Sequence, residues 1–163
     1  MSNLSKINSK ILSLENLNTQ VNSWKTNGLK VVFTNGCFDL LHRGHIEVLS
    51  KAADLGDRLI VGMNSDTSIV KLKGEKRPVL DESSRSTIIA SLSFVDAVVV
   101  FTEETPLNLI INLKPDILAK GGDYETSSIV GHDFIQKYGG EVILIPFIDG
   151  FSSTKIINNI KKS

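Results

Sequence analysis

Two histidines three residues apart, His42 and His45, close the run Thr34-Asn-Gly-Cys-Phe-Asp-Leu-Leu-His-Arg-Gly-His45. On an opening helical turn, residues at i and i+3 lie on one side, so both imidazoles would reach one ligand. Gly44 lets that ligand approach the backbone, and a helix N-terminus attracts anions through its free N–H groups and dipole. Such a pair can donate hydrogen bonds to a phosphate and stabilise charge developing on it. The same spacing also serves ordinary capping or surface histidines. Zinc suits it less, because the single cysteine, Cys37, precedes the pair and no third ligand follows at a convincing spacing. No metal ligand is therefore expected from the protein itself.

Three further stretches carry groups of the same kind. Lys71 and Lys73 stand in a segment that also holds Lys76 and Arg77. Read blandly it is a solvated basic loop; beyond a strand end, such a loop can close over a triphosphate and neutralise it. Gly121-Gly122-Asp123 is either a simple turn or backbone left open to a flat base or ribose. Ser152, Ser153 and Thr154 suit the N-cap of a last helix, whose N-terminus can also hold a phosphate with hydroxyl donors. Cys37 reads as a small buried residue, since no activating base is predicted near it.

Those residues need a scaffold. The 163 residues suffice for one domain with a sizeable core. Lys plus Arg equals Asp plus Glu at 18 each, which argues against a general nucleic-acid or anionic-membrane surface. No apolar run approaches the ~20 residues that span a bilayer, and the Ser-, Asn- and Lys-rich start lacks the apolar stretch of a secretory signal. With one cysteine and no disulfide, the cytoplasm is the expected compartment.

Residues 1–13 read as a flexible lead-in and 14–27 as an N-terminal helix, with Leu14, Leu17, Val21 and Trp24 on one face and Asn27-Gly28 as its stop. Strands are expected at 30–34, 58–63, 95–101, 116–119 and 141–145, and further helices at 46–55, 84–94, 106–113, 129–138 and 153–160. The segment 64–82 is expected to be a loop. This alternation predicts βαβ units: an α/β, Rossmann-like, three-layer α/β/α domain with a five-stranded parallel sheet over 1–163. Ligands of such sheets bind beyond the carboxyl ends of the strands, which is where the histidines fall.

The strand followed by Thr-Asn-Gly-Cys-Phe-Asp-Leu-Leu-His-x-Gly-His resembles the HxGH nucleotidyltransferase superfamily, in particular its cytidylyltransferase-like branch. Val61 to Asp66 is similar to the family's second strand and loop. Lys71-Leu-Lys-Gly74 with Arg77-Pro78 resembles its phosphate-binding segment, Arg85 an arginine that opens the next helix, and Val95-Asp96 the start of its third strand. Leu118 to Tyr124 and Asp149 to Ile156 are similar to the adenylyltransferase domains that make ADP-heptose for lipopolysaccharide. Two positions depart from that pattern: Ala119 stands for a valine, and Phe151 for Cys, Tyr or Ile, where it reshapes the nucleotide pocket.

The resemblance implies that a sugar 1-phosphate, D-glycero-β-D-manno-heptose 1-phosphate, attacks the α-phosphorus of ATP. It gives catalytic roles to His42, His45, Lys71, Lys73 and Arg85. It assigns nucleotide binding to Thr34, Asn35, Gly36, Phe38, Gly44, Lys120, Gly121, Asp123, Phe151, Ser152, Ser153 and Thr154, and the sugar phosphate to Asp39 and Asn64. Mg2+ would arrive mainly on the triphosphate. A homodimer is implied, with a heptose kinase on a separate chain because none fits in this length. Two alternatives stay open: a cytidylyltransferase for glycerol 3-phosphate or another phospho-alcohol, and a non-catalytic nucleotide-binding module.

Overall fold

The computed structural model describes residues 1–123, 125–147 and 150–162. Five strands, β1 (Val31–Gly36), β2 (Arg58–Asn64), β3 (Ala97–Phe101), β4 (Ile117–Gly121) and β5 (Glu141–Ile145), form a parallel sheet in the order β3-β2-β1-β4-β5. The helices are α1 (Asn3–Asn8), α2 (Leu14–Thr26), α3 (Arg43–Ala53), α4 (Asp66–Lys73), α5 (Glu82–Ala90), α6 (Leu107–Leu113), α7 (His132–Lys137) and α8 (Ser153–Ile160).

Successive strand residues point to opposite faces, and both faces are apolar. Val32, Leu59, Val61, Met63, Ile117 and Ala119 pack with Leu49 and Ala52 of α3 and Ile89 of α5. Val31, Phe33, Ile60, Val99 and Leu118 pack with Leu17 and Val21 of α2, Ile110 of α6 and Ile135 of α7. This is the expected three-layer α/β/α arrangement. The chain leaves β1 toward β2 and β3, then crosses back to β4 on the other side of β1. The strand order therefore reverses beside β1, where an open sheet of this kind forms its ligand crevice.

Three local readings are corrected. The first 13 residues are no loose lead-in: Ser2 caps α1, and Ile7 and Ile11 pack on the core. Val98 of the edge strand β3 donates its N–H to the Lys10 carbonyl and accepts from Leu12 N–H. An edge strand has free backbone groups to offer, and this segment takes them. Residues 66–73 form a helix rather than part of a loop, because Ser65 caps it and Ile69 anchors it in the core. Helix α3 begins three residues earlier than its apolar pattern suggests, which makes His42 its N-cap residue and puts His45 in its first turn. Tyr124 and Asp149, members of the two closing motifs, lie outside the described residues. Among the described residues no helix is long and apolar enough to cross a membrane.

Candidate active site

The site starts where β1 ends. Phe38 follows it with φ +47°, a left-handed conformation uncommon for a bulky residue. That turn tucks the Phe38 ring against Gly36, where an added Cβ would come within 3.0 Å of it. It also sets the ring edge-on to His45, with centroids 5.3 Å apart. His42, in extended backbone, makes no side-chain cap bond. Its ring instead stacks on His45, with centroids 3.8 Å apart and planes inclined by 21°.

Both histidine Nδ1 atoms are buried without a hydrogen-bond partner in the described structure. Burial, His42 and Lys73 pull the His45 pKa down to about 4, and burial lowers that of His42. At neutral pH His45 is an uncharged imidazole, able to donate one hydrogen bond without itself becoming an acid. At Gly44 a Cβ would come 3.1 Å from both the His42 ring and the Phe151 Cβ, so glycine keeps the space beside the imidazoles open.

Strands β4 and β5 supply one flank of the cleft. Lys120 donates its Nζ–H to Asn35 Oδ1 at 3.0 Å. Burial pushes its ammonium below the usual lysine range, against a smaller upward pull from Cys37. A Cβ on Gly121 would lie 3.0 Å from both Phe147 and Val48, so this glycine leaves a slot between an aromatic ring and an aliphatic side chain. At the N-terminus of α8, Ser152 caps the helix by accepting from Lys155 N–H. Ser153 Oγ donates to the Leu40 carbonyl at 3.0 Å, tying that helix to the β1–α3 turn. The β2 side contributes Lys73, from the last turn of α4, and Arg77.

Together these groups enclose a cleft of about 560 Å³. It brings together His42, His45, Lys73, Thr34, Asn35, Gly36, Phe38, Gly44, Lys120, Gly121, Asp123, Phe151, Ser152, Ser153 and Thr154. Four other expected residues do not line it. Lys71 lies elsewhere on α4, exposed. Arg85 is fully buried behind the site and gives its donors to Leu80 O, Cys37 O, Asn64 O and Asp66 Oδ1. Asn64 is buried and bonds Ser68 Oγ. Asp39 is buried and accepts from Arg77 Nε, Val79 N–H and Leu80 N–H. Burial alone would raise its pKa, yet these bonds hold the carboxyl below its usual range.

The cleft also contains Cys37, Val48, Phe147 and Gly150, which were not expected there, and Arg77 of the basic segment, to which no role of its own was assigned. Val48 stands one turn beyond Gly44 on α3, and Phe147 just past the end of β5; both positions follow once helix phase and strand end are known. Among the described residues Asp123 is the carboxylate on the lining. Among the described residues no group of three or more His, Cys, Asp or Glu side chains is placed to hold a metal.

The sequence matches the family model described as cytidylyltransferase-like over residues 33–159. It is 51% identical over 154 residues to the Bifunctional protein HldE of Geobacter metallireducens, covering 94% of this chain and 31% of that protein. It is 53% identical over 152 residues to the protein of the same name from Syntrophotalea carbinolica, covering 93% and 31%. The chain thus spans about a third of the length of these curated relatives. A crystal structure of the lipopolysaccharide core biosynthesis protein from Thermoplasma volcanium is 32% identical with a TM-score of 0.61, over 74% of this chain and 98% of that one. The pantoate-β-alanine ligase of Francisella tularensis, complexed with β-γ ATP and β-alanine, shares the fold at a TM-score of 0.62 and 16% identity, over 94% and 78%.

Proposed function

This chain belongs to the cytidylyltransferase-like family and is a nucleotidyltransferase, and we propose that it moves the AMP moiety of ATP onto a sugar 1-phosphate. The acceptor is D-glycero-β-D-manno-heptose 1-phosphate, and the products are ADP-heptose and pyrophosphate for lipopolysaccharide or another surface glycan. The observation that carries the transfer is the stacked, uncharged His42–His45 pair with two unpartnered Nδ1 atoms, set at the first strand-to-helix turn. The similarity of the 118–124 and 149–156 motifs to ADP-heptose-forming domains supports the choice of donor and acceptor, as do the relatives named above.

A phosphate monoester is largely dianionic at neutral pH, since its second pKa is ~6. Its oxygen can attack the α-phosphorus without a general base, and the α–β bridge breaks as pyrophosphate leaves. The protein must hold two anions together and steady the crowded phosphorus between them. His42 and His45 donate to that centre. Lys73, rather than Lys71, supplies charge from the β2 side, and Lys120 from the β4 side. The Gly121 slot and Phe151 hold the nucleoside, and Thr154 with the α8 N-terminus takes the outer phosphates. A magnesium ion carried on the triphosphate would supply positive charge to the leaving pyrophosphate; such an ion needs only one or two carboxylates beside phosphate oxygens, and Asp123 on the lining could hold it. The enzyme acts in the cytoplasm as a homodimer, downstream of a sugar kinase, and light scattering in solution tests the dimer.

Pyrophosphate release, measured with four nucleoside triphosphates against heptose 1-phosphate and glycerol 3-phosphate, tests the specificity. The highest kcat/KM is expected for ATP with heptose 1-phosphate. Preference for CTP with glycerol 3-phosphate would establish the cytidylyltransferase alternative. Nucleotide binding with no pyrophosphate from any pair would leave a binding module.

A further inference from the structure

Arg77 stands in the stretch that resembles a phosphate-binding segment, but the reaction as described so far gives it no contact of its own. It lies on the segment between α4 and α5 and lines the cleft from the β2 side, whereas Lys120 and α8 reach in from beyond β4 and β5. Its side chain is only 13% exposed. Nε is fixed to Asp39 Oδ2 at 2.5 Å. Nη2 is buried and has no hydrogen-bond partner among the described residues.

Asp39 is unusually well placed to hold that guanidinium. It is 2% exposed, and its other oxygen accepts from Val79 N–H at 2.7 Å and Leu80 N–H at 3.1 Å. The carboxylate thus ties the Arg77–Leu80 segment to the β1–α3 turn that carries the histidines. An arginine held at one nitrogen by a buried carboxylate has little freedom to swing away from the cleft. Leaving another donor of the same charged group buried and unpaired is costly, and such groups in native structures call for an explanation. A phosphate oxygen supplies one, because the planar guanidinium suits phosphate geometry and remains charged at any working pH. Lys73 on the same side of the cleft adds a second cation.

We propose that Arg77 is a phosphate-contacting residue of this cleft, donating from Nη2 to a phosphate oxygen, and that Asp39 is its positioning residue rather than a ligand of the sugar. The inference rests on the nucleotidyl-transfer reading for its substrates. Two sources carry the phosphate: the triphosphate of the donor and the monoester of the acceptor.

The test compares wild type, Arg77→Gln, Arg77→Lys, Asp39→Asn and the double variant Arg77→Gln/Asp39→Asn. Steady-state kinetics give kcat and KM for ATP and heptose 1-phosphate, and calorimetry gives the affinity for ATP and inorganic pyrophosphate. Arg77→Gln is expected to raise one KM by roughly tenfold or more, the loss of one hydrogen bond to a charged group. The KM that moves identifies the source: ATP for the triphosphate, heptose 1-phosphate for the acceptor. Arg77→Lys recovers part of the loss. Asp39→Asn shifts the same KM in the same direction and adds almost nothing in the double variant, because the two residues act as a unit.

Arg77→Gln with kcat and both KM values within about twofold of wild type, the scatter of uncoupled sites, would overturn the proposal. If wild type turns over none of these substrates, the transfer reading fails by itself and calorimetry decides the role of Arg77. Affinity for ATP or pyrophosphate roughly tenfold weaker in Arg77→Gln then upholds it. Equal affinity in the two proteins, or no binding of either probe to wild type, overturns it.

Discussion

A histidine that stays uncharged at neutral pH is a poor acid but a good hydrogen-bond donor, and its burial beside His42 and Lys73 makes His45 one. Its folded pKa of about 4 lies below the ordinary 6.5. Between those values the unfolded chain binds a proton that the fold refuses, so stability falls as pH drops from 6.5 toward 4. His45 is half-buried, and solvent screening leaves an effect on the order of 1 kcal/mol. Thermal melts across that window should show His45→Gln losing less stability than wild type; parallel curves would contradict the assigned environment. The same variant should lose on the order of 10²–10³ in turnover, as when one transition-state donor is removed. At this scale the sequence pointed to residues that line the cleft where spacing and position agreed, as at His42, Gly44 and His45. Arg85 and Asp39 lie off the lining, because a charged side chain looks the same in sequence whether it faces a ligand or a buried backbone carbonyl or amide.

Arg85 matters to the elements instead. From the first part of α5 it holds the end of β1 through Cys37 O at 2.7 Å and the end of β2 through Asn64 O at 2.8 Å. It also pairs with Asp66 Oδ1 at the start of α4, at 2.6 Å. Replacement by methionine keeps the bulk but strands these acceptors. Removing one partner of a buried pair costs about 3–5 kcal/mol, and the partial exposure of Asp66 puts Arg85→Met toward the lower end. Urea denaturation checks this, and an unchanged midpoint would contradict that structural role. Element boundaries were legible where a strong pattern met a clear stop. Strand β5 and helix α8 occupy the residues their patterns predict. Helix α4 was not legible, because its eight residues bury only Ser68 and Ile69 and otherwise look like a basic loop. The N-terminal segment was missed for a different reason: its partner is the edge of β3, far away in sequence.

For the molecule as a whole, alternating strands and helices foretold a parallel sheet, but periodicity could not give the order in which the strands lie. That order is what sets β4 beside β1 and brings Lys120 to Asn35, 85 positions away in sequence. It also gathers groups from three strand ends, two helix N-termini and the last turn of α4 into one cleft, lined among the described residues by many donors and one carboxylate. As proposed, this cleft joins a sugar phosphate to the α-phosphorus of ATP. Heptose 1-phosphate labelled with oxygen-18 in its non-bridging phosphate oxygens, incubated with ATP and wild-type enzyme and followed by mass spectrometry of the products, tests it most directly. The label should remain in an ADP-sugar, one labelled oxygen becoming the new bridge, and the pyrophosphate should carry none. Labelled pyrophosphate, release of AMP or ADP as the leaving nucleotide, or the absence of any nucleotide sugar would contradict it.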